Sequence, residues 1–267
     1  MYSLMFGGFI GTNENQGGDW GEKILNKVAS NTIRHLFTRS ELVEVEVNCN
    51  PSSKLLQGSI DSFKMHGRGL TIRRDFRTEE MAFETDAVAL DFSSVLKGEI
   101  SLKQPTQALA TVKLAQDDIN SAFKAELVRK RLENLSEPAL MELSGNQPVS
   151  FTDIDLSLLP HNRIKLFAKA NFGDRVIPVS LSCKLGIAKR RRVTFTEAQF
   201  EADAVPAAQR KTSQLLTEKL VEVLNNMVDL DRFNLDGVKL RLNSLKTQGN
   251  LLIFTGYAQI LRVPRVG

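Results

Sequence analysis

The chain has 267 residues, 42% of them hydrophobic and 25% charged, with a formal net charge of +4. This is the composition of an ordinary soluble globular protein, with room for one large β-rich domain or two small ones. It excludes a disulfide framework, since there are only 2 cysteines, and no apolar run approaches the roughly 20 residues needed to span a bilayer.

In chain order, residues 1–21 read as a flexible leader, with an apolar tip (Tyr2, Leu4, Met5, Phe6, Phe9, Ile10) and then a stretch rich in glycine and asparagine. No basic region precedes that tip, the first lysine being Lys23, and no small-residue cleavage site follows it. A cytoplasmic protein is therefore expected, with peripheral attachment to a membrane left open. A helix follows, with Ile24, Leu25, Val28, Ile33, Leu36 and Phe37 on one face.

Strands then dominate. Val43, Val45, Val47 and Cys49 alternate with Glu44, Glu46 and Asn48, which is the period of a half-buried sheet. Met81, Phe83 and Thr85 re-phase to Val88, Leu90 and Phe92, and that phase change predicts a β-bulge. Ile100 and Leu102 lead into Ala108, Ala110, Val112 and Leu114. A second helix is expected from Asp117 as N-cap, with Ile119, Ala122, Phe123, Leu127 and Leu132 inward. The stretch from Asn134 to Pro148, interrupted by Pro138 and Gly145, reads as a connection.

Further strands follow at Thr152–Leu158, Ile164–Ala170, Ile177–Ile187 and Val193–Phe195. A third helix begins after Pro206, carrying Leu216, Leu220, Val223, Leu224 and Met227 in one stripe. A hairpin turning at Gln248-Gly249-Asn250 closes the chain. The fold class is α+β with a dominant antiparallel sheet, and the order of helices and strands hints at a two-fold structural repeat.

No catalytic apparatus stands out. His35, His66 and His161 lie in unrelated contexts, and none belongs to a nucleophile elbow, a zinc helix or a paired-cysteine motif. Asp153 and Asp155 share one face of a strand and read as solvated carboxylates rather than an acid/base pair. The segment from Asp229 to Gly237 resembles a calcium loop only in outline, because Phe233 and Asn234 stand where the loop needs an oxygen ligand and its glycine. No enzyme, metal or cofactor is expected.

Basic clusters occur at Lys189-Arg190-Arg191-Arg192, at Arg129-Lys130-Arg131, and at Arg73-Arg74 with Arg77. Each reads either as a solvated turn or as an anionic-surface contact. Nucleic acid is disfavoured, because the clusters carry no interleaved aromatics. Oligomeric state is not indicated.

Several stretches carry a resemblance. Leu55-Leu-Gln-Gly58-Ser-Ile60-Asp61-Ser-Phe63-Lys-Met65-His-Gly67-Arg-Gly69-Leu70 and Met81-Ala-Phe83-Glu-Thr-Asp86-Ala-Val88 are two. Phe151-Thr-Asp153-Ile154, Leu230-Asp231-Arg-Phe-Asn-Leu-Asp236-Gly237 and Leu252-Ile-Phe-Thr-Gly256-Tyr257-Ala are the others. Over about residues 20–262 the chain resembles the LmeA-like phospholipid-binding family, in wording similar to its cyanobacterial branch. These are diffuse glycine and aliphatic positions, not catalytic signatures.

The resemblance implies an elongated, strongly curved antiparallel sheet wrapped around long amphipathic helices, similar to tubular BPI-like lipid-binding domains. A single such domain would span 22–262 and hold phospholipid or another acyl lipid in an apolar interior, for transfer or sensing. Characterised relatives act outside the plasma membrane behind an export signal or anchor, which the sequence does not show, so compartment does not carry over. Candidate lipid contacts are Ile24, Val28, Phe63, Met65, Met81, Phe83, Leu216, Leu220, Val223 and Met227. Lys189, Arg190, Arg191 and Arg192 are the candidates for headgroup or membrane contact. The competing reading is a protein-interaction or assembly module whose core is filled by its own side chains.

Overall fold

The alternating segments divide between two main sheets instead of forming one. A computed structural model describes residues 20–51, 53–72, 76–97, 99–232 and 237–262. Residues 1–19 of the expected leader lie outside them, as do the side chain of Ile24, the basic pair Arg73-Arg74 and residues 233–236 of the segment that resembles a calcium loop.

Helix α1 (Trp20–Arg34) leads into β1 (Leu42–Asn48), the single turn α2 (Ser53–Leu56) and the short β2 (Ser59–Ile60). The long β3 (Ser62–Ile72) and β4 (Phe76–Thr85) follow, then β5 (Val88–Ala89), α3 (Phe92–Leu96) and β6 (Thr106–Ala115). Short helices α4 (Gln116–Ala122), α5 (Glu126–Arg129) and α6 (Pro138–Ser144) connect to a meander of β7 (Ser150–Leu159), β8 (Arg163–Phe172), β9 (Arg175–Ala188) and β10 (Arg192–Phe200). Helix α7 (Arg210–Met227) and the hairpin β11 (Val238–Gln248) and β12 (Leu251–Ile260) complete the order.

One sheet has six strands in the order β1-β3-β4-β6-β12-β11, and the other has four, β10-β9-β8-β7. Strands β2 and β5 form a separate ribbon. All pairings are antiparallel. The six-stranded sheet stays open, because its outer strands β1 and β11 do not pair with each other. The two halves of the chain are unequal: the C-terminal hairpin returns to the first sheet, so the expected two-fold repeat is not seen in the strand order.

The phase change after Thr85 is not a bulge. The chain leaves β4 there, and Val88 and Ala89 pair with Ile60 and Ser59 in the ribbon. Register shifts occur instead at Thr152/Asp155, Thr196/Gln199 and Leu242/Ser244. The first re-aims β7, so that Phe151, Leu156 and Leu158 are buried while Asp153 and Asp155 are exposed. The second expected helix breaks into α4 and α5, and its N-cap is Ala115, with Asp117 inside the first turn. The expected connection contains α6, which starts on Pro138 and stops at Gly145 in the left-handed conformation (φ 74°). Both are standard helix-boundary residues, but seven residues are too few for an apolar stripe to show.

The largest core joins the sheets. Leu216, Leu220 and Leu224 of α7 are fully buried among Ile164, Leu166, Val179, Leu181 and Cys183, and Leu242, Leu245 and Leu252 of the hairpin belong to the same cluster. Each such leucine contributes about 1.5–3 kcal/mol by leaving water. Under α1, Ile33 and Phe37 pack against Val43, Met65, Leu70 and Met81. Ala29 of α1 reaches the ribbon, beside Val47, Leu55, Ile60 and Val88.

Amide side chains close the sheet edges. The Val47 amide of β1 donates to Asn26 Oδ1 at 2.8 Å. On β7, Leu156 donates to Asn120 Oδ1 at 2.8 Å and Leu158 to Gln116 Oε1 at 2.7 Å. On β10, Phe195 donates to Asn225 Oδ1 at 2.8 Å and accepts from Asn225 Nδ2 at 3.1 Å. On β11, Thr247 donates to Asn162 Oδ1 at 3.0 Å, and Leu242 donates to the Arg190 carbonyl at 2.6 Å. Exposed strand edges invite pairing with other chains, and these bonds occupy part of each one.

Candidate functional site

Strand register lays three rows of side chains across the inner face of the six-stranded sheet. The first runs Val43, Gly67, Met81, Val112, Phe254 and Leu245, and the second Val45, Met65, Phe83, Ala110, Gly256 and Leu242. The third runs Val47, Phe63, Thr85, Ala108, Ala258 and Leu240. Apart from Thr85 these three rows are apolar throughout. One side of it lies beneath α1, and the other enters the core under α7.

The middle is different. Ala108, Ala110 and Ala258 form a cluster with Phe83, Val238, Leu240 and Ile260. All of these residues come from strands, and no helical residue among those described belongs to the cluster. Phe63, Phe83, Val112, Val238, Leu240 and Ile260 are only half-buried. Small side chains leave a low floor flanked by larger apolar walls. Gly256 is required there: the register shift at Leu242/Ser244 brings the Arg241 carbonyl oxygen to 2.2 Å from where a Cβ would stand. The result is an apolar strip, here called the trough, in which these half-buried side chains stand over buried alanines (Ala108 1%, Ala110 9% and Ala258 0% exposed).

The sequence-derived lipid contacts fall into two groups. Phe63, Met65, Met81 and Phe83 lie together on this face. Leu216, Leu220, Val223 and Met227 lie together on α7, facing the four-stranded sheet. The structure does not bring the two groups into one cluster. Val28 is half-buried on α1, and the side chain of Ile24 lies outside the described residues. Sequence reasoning missed Ala108, Ala110, Gly256 and Ala258 as a floor. Their small size at every second position was visible, but the β6–β12 pairing that joins them is not local.

Beside α7, a depression of about 240 Å³ is lined by Ala198, Phe200, Gln214, Thr217, Glu218 and Val221. That is below the roughly 300–1,000 Å³ of typical small-molecule pockets, and its mixed polar lining does not suit an acyl chain.

The basic run forms the β9–β10 turn, with Lys189 and Arg190 both at positive φ (51° and 56°). Two of its members are already engaged. Arg192 Nε bonds the Asp229 carboxylate at 2.8 Å, and Arg191 pairs with Asp231 and, at 3.7 Å, with Asp229. Arg241 also holds Asp231, at 2.7 Å. Burial of the Asp229 side chain, which is 5% exposed, works to raise its carboxyl. The Arg192 bond, the Asp231 amide and the two guanidiniums outweigh that and hold it below the usual aspartate range. The bonds from Arg191 and Arg241 depress Asp231 likewise. Arg190 bonds Asn243 and lies 5.7 Å from the centre of the Tyr257 ring, a cation–π distance. Lys189 makes no ion pair among the described residues and is exposed.

Burial pushes the Cys183 thiol up to about 12, the range of an inert core cysteine. Asp153 is exposed and paired with Lys169 at 2.8 Å, and Asp155 is exposed near Asn120. No group of three His, Cys, Asp or Glu among the described residues could hold a metal ion. No helix among them is long and apolar enough to cross a membrane.

A family model described as LmeA-like phospholipid-binding matches residues 17–256. No curated protein and no solved structure gave a significant match. The match covers most of the chain, which therefore belongs to the LmeA-like phospholipid-binding family.

Proposed function

We propose that this member of the LmeA-like phospholipid-binding family holds an acyl chain of a phospholipid along the inner face of its six-stranded sheet, without catalysis. The observation that carries the reading is the strand-only cluster around Ala108, Ala110 and Ala258, flanked by half-buried Phe83, Leu240 and Ile260. Each methylene removed from water contributes about 0.8 kcal/mol. A chain laid along the trough with about half its surface covered thus gains roughly 5 kcal/mol before ordering costs. Phe63, Met65, Met81 and Phe83 would form one wall, and methionine adapts to chains of different shape.

The finer architecture that suits this role is a BPI-like wrap, built as one domain over 22–262, with α1 as its adjustable cover. Transfer or sensing would then require peripheral contact with a membrane. A self-filled interaction module is the second reading, and the close-packed core under α7 favours it.

Native mass spectrometry of gently purified protein, followed by lipid extraction, separates the two. Co-purifying phospholipid and uptake of a fluorescent phosphatidylglycerol are expected. Ala110→Leu, placed between Phe83 and Gly256, should raise the trough floor and cut uptake several-fold while the fold persists. Finding neither bound lipid nor uptake in the unaltered chain would sink the carrier reading.

A further inference from the structure

The opposite, outward face of the same sheet carries an apolar pair that the fold does not use. Tyr257 on β12 and Leu109 on β6 stand directly across from each other, 40% and 54% exposed. Neither belongs to a core cluster. Arg241 on β11 is the next residue in the row, and the Arg190 guanidinium stands 5.7 Å from the Tyr257 ring centre. Exposed Lys189 adjoins Arg190 in the turn. On the far side of Leu109 the row continues Glu84, Lys64 and Glu46, with Lys64 at 3.0 Å from Glu84, so that end carries one negative charge in excess and the positive charge lies on the Tyr257 side.

Around the basic turn the charge is net positive. Lys189, Arg190, Arg191, Arg192 and Arg241 face two carboxylates, Asp229 and Asp231, which leaves three positive charges in excess. The ion pairs also divide the labour. Asp229 and Asp231 commit Arg191, Arg192 and Arg241 to holding the turn in place, while Lys189 and Arg190 have no acidic partner among the described residues.

We infer that this patch is the surface by which the protein docks on an anionic phospholipid bilayer. Tyr257 would sit at headgroup depth, where amphipathic rings concentrate, with Leu109 entering the acyl boundary beside it. Lys189 and Arg190 would meet the anionic headgroups. The inference rests on the phospholipid-binding reading for its choice of partner and adds where the membrane is met. Duplex or single-stranded nucleic acid fits the patch less well, since one tyrosine beside an aliphatic leucine is not a stacking platform.

Sedimentation of the full chain with phosphatidylcholine vesicles, with or without a third phosphatidylglycerol, tests it. Binding is expected only with phosphatidylglycerol and should weaken in high salt. Leu109→Asn with Tyr257→Ser should cost about tenfold or more, the worth of one large apolar side chain. Lys189→Glu should cost about 25-fold, through a change of two charges at about fivefold each. Asp231→Asn should tighten binding by about fivefold. Circular dichroism confirms that each variant is folded.

No binding to phosphatidylglycerol vesicles by a chain that still carries lipid overturns the docking surface alone. Vesicle binding unmoved by these variants overturns it too, as does variant-sensitive binding to an oligonucleotide in place of vesicles. Variant-sensitive vesicle binding by a chain that never carries lipid supports the surface and overturns the carrier.

Discussion

Leu220 shows how two kinds of apolar position differ in this molecule. It is fully buried within the core under α7, so Leu220→Ala should cost about 2–5 kcal/mol through lost burial and a cavity. Leu220→Trp should cost about 1–3 kcal/mol by overpacking. Urea unfolding measures both, and lipid content per folded molecule should not change in either. A large fall in lipid content at unchanged stability would move the lipid to α7. The charged residues of the basic turn make a separate prediction. Asp229 and Asp231 titrate below their ordinary values in the folded protein. The stability they contribute is therefore present above the unfolded aspartate value of about 3.9 and is lost as pH falls through their lower folded values. Wild-type denaturation midpoints should drop below about pH 4. Asp229→Asn should be less stable at neutral pH, with a shallower acid slope; an unchanged slope would mean that the pair contributes nothing.

Elements inherit these residue effects unevenly, and Asn225 is the clearest case. Near the end of α7, it exchanges two hydrogen bonds with the backbone of Phe195 on β10. Asn225→Ala leaves both groups unpaired at a packed edge and should cost about 1–3 kcal/mol. Hydrogen exchange at the Phe195 amide should accelerate more than at amides of β8; equal changes throughout would indicate general loosening. No sequence signal announces such a cap, because an asparagine in a helix looks like any other surface residue. By contrast, α7 itself was legible, since Leu216, Leu220, Val223, Leu224 and Met227 keep helical spacing for the whole length of the stripe. The paired alternations of β8, β9 and the closing hairpin were legible for the same reason. What failed was local phase: Thr85 to Val88 looked like a bulge, whereas the true register shifts at Thr152/Asp155 and Leu242/Ser244 fall within ordinary-looking runs.

At the scale of the whole molecule, the outcome that sequence could not supply is which apolar faces are matched to each other. Alternation marks Phe63, Met65, Met81 and Phe83 as inward, and the family pattern makes lipid their expected partner. It does not reveal that β12 returns to pair with β6, placing Ala258 and Gly256 beside Ala108 and Ala110. Nor does it reveal that Asp229 and Asp231 reach back to the basic turn. That division between a filled core and a shallow trough has a thermodynamic consequence. A ligand that binds only the folded state stabilises it by mass action, by about 2.7 kcal/mol at a hundredfold excess over Kd. For a chain of this size that is a rise in Tm of roughly 5–10 °C. Lipid-stripped protein should show this rise when dispersed phosphatidylglycerol is restored. Leu220→Ala should start lower and gain the same increment, because its lesion lies in the filled core. Ala110→Leu should also start lower, through overpacking of a buried site, and should gain little from lipid, because its added side chain stands on the trough floor. Reversal of those two responses would place the lipid against α7 and leave the six-stranded face as plain core.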